Sequence, residues 1–234
     1  MVLVMRIMPL FLALAAFAAP AAAAERRYSV TDFDRIQVDG PYEVTLTTGG
    51  SSQATATGDQ RAIDRIAVDV QGRTLRIRPN PSAWGGYPGA QTGPVRIVLT
   101  SRLVRGATVI GPGSLAIDRA RGLRIELSLS GSGSLSVGAV EADVLILGLL
   151  GSGEMTVAGK AKQLRLTVEG SGDFSGRSLA SEDAQITAGT SGALTVGAAR
   201  TAKVSAHGRG SVEIVGTPAC TLSGPAAALV RCGK

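Results

Sequence analysis

The feature that most constrains this chain is a glycine tract that returns about every twenty residues. The copies are Gly111-Pro112-Gly113, Gly131-Ser132-Gly133, Gly151-Ser152-Gly153, Gly170-Ser171-Gly172, Thr190-Ser191-Gly192, Gly208-Arg209-Gly210 and a degenerate Gly224-Pro225-Ala226. Their first residues step by 20, 20, 19, 20, 18 and 16 positions. A period held over that many copies marks stacked supersecondary units, none of which can bury its apolar face alone. The residues around each tract alternate. Leu123, Ile125, Leu127 and Leu129 interleave with Arg124, Glu126, Ser128 and Ser130. The alternation resumes after the glycines at Leu135 and Val137, and recurs through Leu145, Leu147, Leu149 and Leu164, Leu166, Val168. Strict period two is a strand with one buried face. Stacking such strands at about 4.8 Å buries that face and satisfies the backbone through neighbouring rungs. The expected fold is all-β, a right-handed parallel β-helix with rungs of about twenty residues. A sandwich of hairpins is the alternative, but its strands do not repeat one corner sequence at a fixed period.

Composition supports a narrow core. Aromatic residues make up 3% of the chain, so Leu, Val, Ile and Ala must fill the interior, while 31 glycines supply corners. Residues 1–24 read as a secretory leader, with Arg6, an apolar stretch from Ile7 to Ala19, and small residues up to Ala24. The apolar stretch is too short for a membrane span of about 20 residues, and no span is expected after cleavage. No barrel segment follows the repeats, so the expected compartment is the periplasm, with the cell surface as the alternative.

Residues 25–94 alternate like strands but lack the Gly-x-Gly corner. They are expected to cap the repeats of 95–234, because an uncapped end is an open strand edge. Their last part, 80–94, is rich in Pro and Gly and holds Trp84 and Tyr87. That loop either covers the cap or forms a contact loop for sugar or protein. Cys220 and Cys232 are the two cysteines, and both fall on the inward parity of the final coil. In an oxidising compartment they are expected to form a disulfide.

Phe33-Asp34-Arg35-Ile36-Gln37-Val38-Asp39-Gly40, Tyr42-Glu43-Val44-Thr45-Leu46 and Val70-Gln71-Gly72-Arg73-Thr74-Leu75-Arg76-Ile77 resemble the opening of the auto-transporter adhesin, head GIN domain family. The repeated Leu-x-Leu-x-x-x-Gly-Ser-Gly-x-Leu pattern is similar to that family's most visible feature. The resemblance spans about 33 to 230. It implies a right-handed parallel β-helix exported by bacteria. It implies no reaction and no residue-level site.

Catalytic classes find little support. His207 is the only histidine and takes an outward position, which disfavours Ser-His-Asp, Cys-His and multi-histidine zinc chemistry. The Gly-Ser-Gly tracts are followed by strand rather than helix, so they do not read as phosphate loops. Asp173 is the single aspartate beside a glycine tract, which disfavours a repeated calcium site. Glu126, Glu169 and Asp173 lack stacked acidic partners, as a carbohydrate-processing β-helix enzyme would need. No cofactor is expected. Without the leader, Arg6 is lost, leaving 23 basic and 18 acidic residues, a net charge of +5. The charges are scattered, unlike a nucleic-acid face.

One rung breaks the outward pattern. Val144, Ile146 and Leu150 stand where neighbouring rungs carry polar side chains. An outward apolar strip of this kind points to an oligomer or partner interface, with cover by the 80–94 loop as the alternative. The reading is therefore a non-enzymatic envelope protein offering a rigid surface to a second copy, an envelope protein or a polysaccharide. A purely structural, self-associating protein and a β-helix enzyme are the alternatives.

Overall fold

A computed structural model describes residues 24–80 and 94–233. It is a parallel β-solenoid of about six turns. The strands are β1 (Ala24–Tyr28), β2 (Arg35–Asp39), β3 (Tyr42–Thr48), β4 (Gln53–Gly58), β5 (Ile66–Gln71), β6 (Thr74–Pro79), β7 (Val95–Ser101), β8 (Gly106–Ile110), β9 (Ser114–Gly131), β10 (Ser134–Gly151), β11 (Glu154–Gly170), β12 (Asp173–Thr190), β13 (Leu194–Ala206), β14 (Val212–Val215), β15 (Ala219–Ser223) and β16 (Val230–Cys232). One short helix, α1 (Gln60–Asp64), lies between β4 and β5.

The long strands β9 to β12 each wrap round a turn. Their first parts build one face, together with β7, β3 and β14. Their second parts build the other face, in the order β6-β2-β8-β9-β10-β11-β12-β13-β15. Leu115, Leu135, Met155, Phe174 and Leu194 stack inward from the first face, and Leu127, Leu147, Leu166, Ile186 and Val204 from the second. Both ladders meet in one thin core. This matches the expected fold class.

The glycine period has a steric cause. Gly40, Gly111, Gly131, Gly151 and Gly170 share the corner position, with φ between 92° and 124°, which side chains rarely tolerate. Two residues further on, a Cβ placed at Gly133 would lie 2.0 Å from the Gly113 carbonyl oxygen, which is backbone and cannot swing away. The same holds for Gly113, Gly153, Gly172, Gly192 and Gly210, where the neighbouring backbone oxygen leaves no room for a side chain.

One sequence expectation changes, and the rung order adds a feature that the local pattern does not carry. Leu123 is not inward; it is 79% exposed. A corner falls there, so Leu123 and Arg124 both face out and the inward parity restarts at Ile125. The order of the rungs is also not the order of the chain. β2 and β3 form a parallel rung of their own, wedged between β6 with β7 on one side and β8 with β9 on the other. Beyond them, β5 pairs antiparallel with β6, and β4 and β1 extend the β7 edge antiparallel.

Candidate binding trough

The β6-to-β13 face presents registered columns of outward side chains. One column holds Thr108, Ser128, Gly148, Thr167, Thr187 and Ser205, with Gln37 and then Arg76 at its far end. The column beside it runs Arg35, Gly106, Glu126, Ile146, Arg165, Gln185 and Lys203. Eight strands at about 4.8 Å give a face roughly 34 Å long. Two shallow depressions run along it, of about 500 Å³ from β6 to β11 and about 440 Å³ from β11 to β13. They meet on β11, where Thr167 borders one and Arg165 the other.

The carboxylates of this trough are already engaged. Glu126 accepts from Arg124 Nε at 2.7 Å and from Arg35 Nη1 at 3.4 Å. Those arginines, Arg124 first, hold its carboxyl below the ordinary glutamate range. Asp183 accepts from Arg200 Nε at 3.0 Å and from Thr201 Oγ1 at 2.7 Å. The Arg200 hydrogen bonds, followed by that of Thr201, push its carboxyl down to about 2. By contrast, Arg165 and Lys203 are exposed and make no ion pair among the described residues. The trough can donate hydrogen bonds and charge to a ligand without first breaking a pair at these two positions.

A larger groove of about 800 Å³ lies on the short side between the faces. Five of its seven charged side chains, all but Arg105 and Glu182, are joined in ion pairs. Arg121 and Lys160 flank Glu141 at 2.6 and 3.8 Å, and Lys162 holds Asp143 at 2.8 Å. Such a ladder stabilises neighbouring strands and leaves less for a ligand to claim.

The sequence-derived residues fall as follows. Ile146 lies in register between Glu126 and Arg165, Val144 between Arg124 and Gln163, and Leu150 between Ser130 and Glu169. Val144 and Ile146 are half-buried, while Leu150 is 54% exposed. Cys220 and Cys232 are joined in a disulfide with a Cα–Cα distance of 6.6 Å. Trp84 and Tyr87 lie outside the described residues. His207 is exposed, and its Nε2 shares a hydrogen bond with Ser205 Oγ at 2.9 Å. The Asp173 carboxylate accepts from the Ala193 amide at 2.6 Å, and, contrary to the expectation, it has an acidic partner in register, Glu154 on β11. No group of three or more His, Cys, Asp or Glu side chains that could hold a metal occurs among the described residues. What sequence reasoning missed is the trough itself. Its alternating residues were legible, but the meeting of Arg165, Gln185 and Lys203 depends on register across three rungs.

Fold and trough together define a parallel β-solenoid with a polar, cation-bearing lateral face. The chain belongs to the family described as "Putative auto-transporter adhesin, head GIN domain", whose model matches residues 32–218. Among solved structures, a "putative adhesin" from Bacteroides fragilis is similar at 17% identity and a TM-score of 0.79, over 92% of this chain and 97% of that one. A "putative lipid binding protein" from Parabacteroides distasonis is similar at 20% identity and a TM-score of 0.70, over 92% and 97%. At these identities the likeness shows the fold alone. No curated protein matches the chain.

Proposed function

We propose that this chain is an exported, non-enzymatic envelope protein that uses one face of a rigid solenoid for binding. The observation that carries the reading is the register of that face. Eight strands hold their outward positions in register, a preorganised surface with little ordering cost on association. The family description and the disulfide support export and an adhesin-like role. No described helix is long and apolar enough to cross a membrane. The periplasm is the compartment we assign, with the leader at 1–24 removed.

The test is cosedimentation of the purified mature chain with envelopes of the producing bacterium. Wild type is expected to sediment with them, and Thr167→Glu, which fills the trough and opposes its charge, to remain in solution. A wild-type protein that stays in the supernatant overturns the reading.

A second reading, self-association, is favoured by the exposure of Leu150 beside Ile146 on β10. If that strip joins two copies, Ile146→Asp converts a dimer to monomers in light scattering. An unchanged mass removes the strip as an interface.

A further inference from the structure

Resting on the surface reading above, we infer that the trough binds a linear anionic polysaccharide laid along the solenoid axis. Charge complementarity is the first argument. The lining includes Arg35, Arg76, Arg165, Arg200 and Lys203 against Glu126 and Asp183, and both carboxylates are already held by arginines. The balance is five positive against two negative, a net +3 on a concave surface.

Spacing is the second argument. Arg165 pairs in register with Gln185, and Gln185 with Lys203. Arg165 and Lys203 therefore stand two rungs apart, about 10 Å. That is the length of a disaccharide, so they can meet carboxylates on alternate sugars while Gln185 hydrogen-bonds the sugar between. Thr167, Thr187 and Ser205 run alongside in the next column, offering hydroxyl donors and acceptors at every rung.

Other polyanions fit less well. Duplex DNA carries a negative charge every ~1.7 Å, far denser than these cations. Single strands need stacking aromatics, and among the described residues no Trp, Tyr or Phe lines either depression. A bilayer is met by protruding apolar and basic residues, whereas this surface is concave.

The experiment measures binding of the mature chain to polygalacturonate by calorimetry, with fully methyl-esterified polygalacturonate as the uncharged control. Binding to polygalacturonate is expected, weakening as salt rises. Arg165→Ala/Lys203→Ala is expected to lower the affinity at least tenfold. Ser136→Ala/Thr156→Ala, on the opposite face, is expected to leave it unchanged. All four side chains lie on the solenoid surface, and matching thermal melts establish that each variant folds. Equal binding of the ester, undiminished binding by the Arg165/Lys203 variant, or stronger binding to single-stranded DNA or phosphatidylglycerol vesicles overturns the inference. Cosedimentation with envelopes but no affinity for polygalacturonate overturns the ligand and leaves the surface reading standing. Failure of both overturns both.

Discussion

The two ends of the solenoid are closed in different ways. At the β1/β5 end the stack finishes in antiparallel strands and a helix. β5 folds back on β6, and β4 and β1 extend from β7. α1 packs on β1 and β4, its first turn capped by the Asp59 carboxylate, which accepts from the Arg61 and Ala62 amides at 2.9 and 3.3 Å. Ile63 of α1 is fully buried. The outermost strand, Ala-Glu-Arg-Arg-Tyr, carries charges that discourage another strand from adding to it. At the other end the last strands are only five and three residues long, and Leu222 and Leu229 are 39% and 48% exposed. There a disulfide takes the place of a core. One end is shut by packing, which needs many residues. The other is shut by short edges and a covalent link, which needs few.

The largest test of this contrast is Ile63→Ala. Removing a fully buried Ile side chain typically costs about 2–5 kcal/mol. Chemical denaturation should show a loss in that range, because the packed end is continuous with the core of β3, β4 and β7. A loss under about 1 kcal/mol would mean that α1 does not lock the end.

The opposite end should fail locally. Cys220 and Cys232 are 12 residues apart, and a loop of that size constrains the unfolded chain by about 3 kcal/mol. β15 pairs only with β13, and β16 only with β14. Replacing both cysteines by serine should therefore speed amide exchange in β15 and β16 while leaving β9 to β12 protected. Uniform loss of protection would show the stapled end to be part of the cooperative core. Intact-mass measurement of the wild type should first show the two-hydrogen deficit of the bond.

These ends also show what was legible in the sequence. The repeat could be read because stacking itself forces it: a Cβ at Gly133 collides with the rung beside it. The cysteines could be paired because they are the only two in the chain, although a turn and a 3-10 helix at Ala227–Leu229 interrupt the alternation between them. The rung of β2 and β3 could not be placed. Local alternation says that Ile36, Val38, Val44 and Leu46 are inward, but pairing with β6, β7, β8 and β9 is long-range and leaves no local mark. Leu123 misled for a related reason. A corner between two flat segments resets the parity, and the sequence there contains no glycine tract to announce it. The apolar strip at Val144, Ile146 and Leu150 was legible as an exception, whereas the trough needed the register of several rungs at once.

The smallest expected effect lies one rung in from the stapled end. Asp183 on β12 is tied to Arg200 and Thr201 of β13, the last long strand before the array shortens. Its carboxyl is pushed down to about 2 from an ordinary 3.8, chiefly by the Arg200 hydrogen bonds. A carboxylate depressed in the folded state adds stability above its unfolded value. That contribution is complete above pH ~4 and disappears as the pH falls through about 2. The pair is solvent-facing, so its effect on overall stability should be small, but its titration is directly visible. Carboxyl-carbon NMR should give Asp183 a midpoint near 2, and Arg200→Ala should move it up towards 3.8. An unmoved midpoint would transfer the effect to Thr201. Because the pair bridges two rungs, amide exchange at the β12–β13 contact should gain an acid-dependent component only as the pH falls towards 2, and comparison with Arg200→Ala would isolate the pair's share.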